Sequence, residues 1–145
     1  MKRPDTEEAA TRKSGTSIIF FNERGEILLF LRDDKDSIPY PDCWDLLGGR
    51  VKPQESPRDC IEREMKEEIE YFLEKPELYK ESDFDDRKEF TYWKEVNKAA
   101  FDAYNRPLHE GQRLQWFSKD EIERLPPESI AFGFRELLLE FLNSL

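Results

Sequence analysis

Three glutamates, Glu64, Glu67 and Glu68, stand at positions i, i+3 and i+4 in the run EREMKEE. On a helix such residues share one face, with neighbouring side chains about 5–6 Å apart. Like charges at that spacing repel by a few tenths of a kcal/mol per pair on a bare helix. Such a face is tolerated either because water solvates it or because a counter-ion sits on it. A hard divalent cation such as Mg2+ takes oxygen donors, keeps some of its waters and shares its remaining positions with substrate phosphates. Beside a phosphoanhydride it would neutralise phosphoryl oxygens and lower the pKa of an attacking water. Taken alone, EREMKEE reads more readily as a solvated acidic face, which roughly four in five such runs are.

The flanking residues change that balance. From Gly49 the order is Gly49, five residues, Glu55, seven residues, Arg63-Glu64-Met65, one residue, Glu67-Glu68. With this chain's own composition, a random register satisfies those seven positions with a probability on the order of one in a million. The pattern resembles the Nudix box, the signature of hydrolases that cleave nucleoside diphosphates linked to another moiety. The likeness extends through ILLFLR and WDLLGGRV before the box and EGQRLQWFSKDEI after it, from about Ser17 to Leu145.

The resemblance implies an α/β fold, the Nudix α/β/α sandwich with a mixed sheet, and a pyrophosphohydrolase using Mg2+, with Mn2+ as an alternative. It assigns Glu64, Glu67 and Glu68 to catalysis and to the metal. Glu110, in a later loop, is a candidate for one more metal carboxylate, against plain solvation. Gly49 lies beside the substrate. Arg32 is read either as a substrate-phosphate contact or as a surface partner of Asp33 or Asp34. Glu55 and Arg63 are expected to pair and brace the loop against the helix. One departure stands out: the family glycine after the last glutamates is Glu70, followed by Tyr71. Glycine supplies the left-handed cap that stops such a helix, so either Glu70 takes a costlier cap or the helix runs on towards Leu73.

The elements that must hold these groups follow from local pattern. Ser56, Pro57 and Asp59 form a helix start by capping and proline preference. Ile61, Met65 and Ile69 make an apolar stripe that can dock on a sheet. Before the box, Thr16–Phe21 and Glu26–Arg32 read as strands joined by a four-residue hairpin connection containing Asn22 and Gly25. Leu28, Phe30 and Arg32 would share one face, Ile27, Leu29 and Leu31 the other. Asp33–Cys43 is a polar loop, and Trp44 beside Leu46-Leu47 reads as core. After the box, Glu74–Lys80 and Lys88–Glu95 read as strands, Lys98–Tyr104 as strand or short helix, and Arg113–Phe117 as a strand. Ser118 and Glu121 form a capping box. Phe134, Leu137, Leu138, Phe141, Leu142 and Leu145 form the stripe of a last helix.

Composition bounds the rest. The 145 residues suit one domain, read as residues 16–145 behind a mobile arm at residues 1–15. A formal net charge of −10 opposes nucleic-acid duplexes and anionic membranes as partners. It also opposes a phosphorylated small molecule, so bound cations and a local basic rim are required. Cys43 and Cys60 make no disulfide framework. With no membrane-length apolar run and no signal-like segment, the expected location is cytoplasmic. Aromatic content and the habit of the family make a homodimer an expectation. Two other classes compete. An isopentenyl-diphosphate-isomerase-like enzyme needs a histidine-rich site, and the chain has one histidine. A non-catalytic nucleotide-sensing or protein-binding module would be expected to lose box carboxylates, which are all present.

Overall fold

The first turn shows how the chain is shaped locally. Asn22 Oδ1 accepts from the backbone N–H groups of Arg24 and Glu26 at 2.9 and 3.1 Å, while Gly25 takes a left-handed φ of 73°. This closes the expected hairpin between β1 (Lys13–Phe21) and β2 (Ile27–Leu31). The computed structural model describes residues 13–145. Strand β1 therefore already includes Lys13–Gly15, which the sequence had placed in the mobile arm. Parallel pairing with Arg87–Glu89 holds them in the sheet, and the rest of that arm lies outside the described residues.

The remaining elements are β3 (Trp44–Asp45), β4 (Leu47–Arg50), α1 (Pro57–Ile69), β5 (Glu77–Asp83) and β6 (Arg87–Glu95). They are followed by α2 (Lys98–Phe101), β7 (Arg113–Phe117), α3 (Lys119–Arg124) and α4 (Phe134–Ser144). The strands form one mixed sheet. Strand β1 runs parallel to β6 along its whole length, from Lys13 opposite Arg87 to Phe21 opposite Glu95. It meets β2 only at Phe21 and Ile27. From there the two strands diverge, and Trp44–Arg50 fills the fork. Its first part, β3, pairs with β2 through Phe30–Asp45, and its second, β4, pairs with β1 from Ile18–Leu47 to Gly15–Arg50.

Both faces of the sheet are covered. Leu28 and Phe30 join Ile18 and Phe20 under α1, where Ile61, Met65 and Ile69 are fully buried. Ile27, Leu29 and Leu31 face the opposite way, onto α3 and α4. The α4 stripe is buried at Phe134, Leu137, Leu138, Phe141 and Leu142, whereas Leu145 is 60% exposed past the end of the helix. Trp44 packs in this second core, edge-on to Phe117. The architecture is the expected α/β/α sandwich with a mixed sheet.

Three boundaries differ from expectation or resolve it. The strand expected at Glu74–Lys80 starts at Glu77, because Lys75 adopts a left-handed φ of 48° and Pro76 follows it. The connection to β6 then shrinks to a tight turn closed by Phe84 N–H donating to Arg87 O at 2.9 Å. Lys98–Tyr104 resolves to the short helix Lys98–Phe101 and the start of a 3-10 turn at Ala103–Asn105: the Asn97 side chain caps α2 by accepting from Ala100 N–H.

Helix α1 starts as read, with Ser56 Oγ accepting from Asp59 N–H at 3.0 Å and Pro57 in the first turn. It stops at Ile69. Glu70 takes the left-handed cap itself, at φ 52° and ψ 43°, and Tyr71 N–H closes the end on Met65 O at 3.1 Å.

Truncation of a core stripe residue differs sharply from truncation of an exposed one. Leu138→Ala, at a fully buried position, is expected to cost about 2–5 kcal/mol in chemical denaturation. Leu145→Ala is expected to stay within about 0.5 kcal/mol. Equal losses would show that α4 does not pack as described.

Candidate active site

The box helix meets the sheet at one point of very close approach. Gly49, on β4, lies so near Glu64 that a Cβ there would coincide with the Glu64 carboxyl group. Only glycine leaves that volume free. Gly48 is constrained similarly by the Thr16 carbonyl. The Gly48-Gly49 pair thus lets α1 set its carboxylates directly against the sheet. Thr16 Oγ1 and Cys60 secure the same backbone, with Thr16 donating to Gly49 O at 3.1 Å. Burial pushes the Cys60 thiol up to about 11, so it is a packing group and not a thiolate.

Glu55 and Arg63 pair as expected. Arg63 donates through Nε to one Glu55 oxygen at 2.7 Å and through Nη2 to the other at 3.0 Å. The same guanidinium reaches Arg50 O, Glu64 Oε1 and Glu67 Oε1, the last two both at 2.9 Å. Arg63 therefore ties the loop, the strand and the acidic face together. Its hydrogen bonds to Glu55 hold that carboxyl down at about 2.

The glutamates are not equivalent. Glu68 is buried, only 8% exposed, and adjoins both Glu64 and Glu110. Burial, followed by the neighbouring Glu64 and Glu110 carboxyls, pushes it far above the usual carboxylate range. Glu64, Glu68 and Glu110 all line one cavity of about 460 Å³, within the size range of small-molecule sites. Glu67 does not line it; its side chain is 55% exposed and rests on Arg63. Among the described residues, no three acidic, histidine or cysteine side chains already converge as a cation cage. The carboxyls adjoin, and one oxygen of Glu64 is held by Arg63.

The donor set nonetheless suits a hard cation. It consists of carboxyl oxygens, one of them buried among like groups without a bonded lysine or arginine among the described residues. Glu64, Glu68 and Glu110 are the groups that would hold Mg2+, and Glu67 could join them by leaving Arg63.

The cavity extends from the acidic groups to Leu46, Phe132 and Phe134, which belong to the second core. There Arg32 Nη1 donates to Asp45 Oδ2 at 2.9 Å and its Nε to Pro39 O at 3.0 Å. Arg32 thus reaches the cavity, but its ion-pair partner is Asp45, not Asp33 or Asp34. Arg87 Nε donates to Glu89 Oε1 at 2.7 Å. Burial raises Asp45 to about 7 against the opposing pull of Arg32. Burial raises Glu89 too, against Arg87. Both guanidinium groups lie over the ring of Phe132, at 5.2 and 4.8 Å from its centroid. Phe132 has a left-handed φ of 57°, and Tyr40 packs on its ring at 4.6 Å. Lys13 and Arg50 line the cavity as well.

Asp45, Arg87, Glu89 and Phe132 were not singled out from the sequence. Asp45 carried one usable signal, a charge between Trp44 and Leu46 inside an apolar run. Arg87, Glu89 and Thr91 alternate with Phe90 and Tyr92, a polar strand face that is in fact buried. Phe132 had none. His109 is exposed and lies 2.6 Å from Glu70 through Nε2.

The Glu55 interaction makes a pH-dependent contribution whose sign is set by its depressed pKa. It is present in full above the ordinary value of 4.5 and lost as pH falls towards 2. In denaturant midpoints measured across pH, Glu55→Gln is expected to be less stable than the parent at pH 7, and the gap should narrow below pH 4.5. A gap independent of pH would deny the ionic role of Glu55.

Comparison with known proteins agrees with this geometry. A family model described as the NUDIX domain matches residues 11–141. Solved structures of similar fold include a MutT protein from Methanosarcina mazei Go1, at 22% identity and a TM-score of 0.69, covering 92% of this chain and 94% of that one. A MutT NUDIX hydrolase from Burkholderia pseudomallei aligns at 22% identity and a TM-score of 0.69, covering 89% and 96%. The ORF135 protein of E. coli aligns at 24% identity and a TM-score of 0.61, covering 92% of each chain. No curated protein sequence gave a significant match. At these identities the structures speak for the fold, and the family model for membership. A box helix whose carboxylates stand against a double glycine, in a mixed α/β/α sandwich matched over nearly its whole length, places the chain in the NUDIX domain family as a Nudix-type pyrophosphohydrolase.

Proposed function

We propose that this protein hydrolyses a phosphoanhydride bond in a nucleoside diphosphate linked to another moiety, with Mg2+ or Mn2+ held by Glu64, Glu68 and Glu110. The observation that carries the reading is Glu68: a carboxyl buried beside two others, opening on a cavity large enough for a small ligand. Burying an unpaired carboxylate is costly, and placing others beside it adds to the cost. A binding module needing only shape has no use for this arrangement. A divalent cation, when bound, would supply charge neutralisation for the phosphoryl oxygens and a more acidic water.

The chain's own groups divide the remaining work. Arg63 fixes Glu64 and Glu55 and leaves Glu68 free of a guanidinium. Gly49 gives the substrate and Glu64 a common space. Lys13 and Arg50 supply positive charge at the cavity without a bonded carboxylate among the described residues. Arg32 and Arg87 present guanidinium faces and a stacked Phe132 to the part of the substrate remote from the acidic wall. This polarity, acidic on one side and aromatic with arginine on the other, suits a ligand with phosphates at one end and a planar ring at the other. A small-molecule substrate in this cavity requires neither a nucleic-acid duplex nor a membrane. Among the described residues, no helix is long and apolar enough to cross a membrane.

Formation of nucleoside monophosphate from a panel of nucleoside diphosphate derivatives, with and without Mg2+, tests the reading. Activity that needs the metal is expected, and Glu68→Gln should lower turnover by about 100-fold or more while the protein stays folded. Glu67→Gln should also lower turnover, if Glu67 joins the cation from its place on Arg63. No metal-dependent hydrolysis of any substrate, or a Glu68→Gln protein with parental turnover, would refute the proposal.

Gly49→Ala is a separate test of the close approach. The added methyl displaces the Glu64 carboxyl, so metal-dependent turnover should fall at least about tenfold, with secondary structure by circular dichroism unchanged. Parental activity in that variant would mean that the Glu64 position is irrelevant.

A further inference from the structure

Glu70 occupies a position where a side chain is a conformational liability. Its backbone is left-handed, at φ 52° and ψ 43°, a region in which glycine carries no Cβ penalty. Its carboxyl group is directed to the loop that carries Glu110, where Oε2 lies 2.6 Å from His109 Nε2. The same histidine donates its backbone N–H to Glu68 O at 2.8 Å. His109 is thus bonded twice to the end of α1, once through the backbone of a site glutamate and once through Glu70. The next residue is Glu110, whose carboxyl adjoins Glu68 in the cavity.

The rest of the loop is fastened on either side. Arg106 donates to Ile69 O and Phe101 O, so it also covers a free carbonyl at the helix end. Gln112 donates its backbone N–H to Leu31 O and its side chain to Arg32 O and Asp42. Between these two anchors, Glu110 is held beside Glu68 by a side-chain hydrogen bond between the two carboxyl groups. Among the described residues no lysine or arginine is bonded to Glu110. The neighbouring restraint on that stretch is His109.

We infer that Glu70 and His109 form a latch that positions Glu110 against the box helix, and thereby raise the affinity of the site for a divalent cation. The inference rests on the metal reading proposed above. Glu70 and His109 are positioning residues: neither lines the cavity, and they act through Glu110. The substitution of glutamate for the family glycine exchanges an easier helix cap for a hold on this loop. The pair is more than half exposed on both sides, so its effect is modest, of the size seen for surface ion pairs.

The test uses Mg2+ titration by isothermal calorimetry, alongside melting temperature in EDTA. Glu70→Gly should melt at the parental temperature or above it, since the cap strain is relieved. It should bind Mg2+ about three- to fivefold more weakly. A simple structural defect would instead lower both. His109→Ala should weaken Mg2+ binding by a similar factor, and the double variant should be no weaker than either single one. Glu70→Gln, which keeps an acceptor for the imidazole, should recover most of the affinity. Parental Mg2+ affinity in Glu70→Gly, or losses that multiply in the double variant, would overturn the latch. If Glu68→Gln then abolishes binding while Glu70→Gly does not alter it, the metal reading survives and the latch alone fails. If the parent protein binds no Mg2+, both fall together.

Discussion

Carboxyl groups at Glu64, Glu68 and Glu110 are held side by side against their mutual repulsion, and much of the surrounding structure can be understood as what holds them there. The largest restraint is burial. Ile61, Met65 and Ile69 are completely covered on the far side of α1, worth about 6 kcal/mol together at ordinary transfer values. Like-charge pairs on a bare helix cost only tenths of a kcal/mol, and partial burial enlarges that without reversing the balance. Apolar packing therefore dictates where the helix lies, and the acidic face goes where the packing puts it. Arg63 then distributes one positive charge over Glu55, Glu64 and Glu67. It leaves Glu68, the most buried of the group, without a guanidinium.

A second constraint is the fork in the sheet. Because β1 and β2 share a single paired position before separating, the sheet opens, and Trp44–Arg50 crosses the gap by pairing first with one strand and then with the other. The box helix contributes carboxylates to the cavity beside this crossing, Arg87 of β6 and Arg32 after β2 contribute guanidinium groups, and the Phe132 turn contributes aromatic surface. The double glycine is needed at this crossing because the backbone, the sheet and the helix carboxylates all approach there.

Much of this was legible because it depends on local spacing. The helix start at Ser56, the stripes of α1 and α4, the hairpin at Asn22–Gly25 and the capping box at Ser118 all involve residues within a few positions of each other, where period and capping chemistry act directly. The Glu55–Arg63 pair followed from the box resemblance. What was not legible depends on distant register. Glu89 faces the cavity because β6 lies parallel to β1 and sets it against Gly15, and nothing near residue 89 specifies that partner. Asp45 meets Arg32 from thirteen positions away, past an irregular loop. Phe132 points inward through a left-handed backbone that its side chain disfavours and that no local motif announces. Glu67 shows the converse limit: helical spacing put it on the acidic face, yet Arg63 draws it away from the cavity. Spacing assigns a face and leaves side-chain direction to competing partners.

The charge balance of the cavity follows from the same pairings. On the proposed function, a chain with a formal charge of −10 admits an anion into a site whose walls carry Glu64, Glu68, Glu110, Asp45 and Glu89. Arg32 and Arg87 cannot offset this alone, since each is already bonded to a buried carboxylate. Their contribution is local and directional: a guanidinium held rigid by its partner presents a fixed face to a planar ring, as both do to Phe132. Lys13 and Arg50 line the cavity without a bonded carboxylate among the described residues, and at the 8–10 Å screening length of ordinary salt they act only on groups close by. Between them and the acidic wall the deficit of positive charge is not made up by the protein's own side chains. On the function proposed above, a cation arriving with the substrate would offset this deficit for a phosphate near Glu68, so that metal binding and substrate binding would reinforce each other.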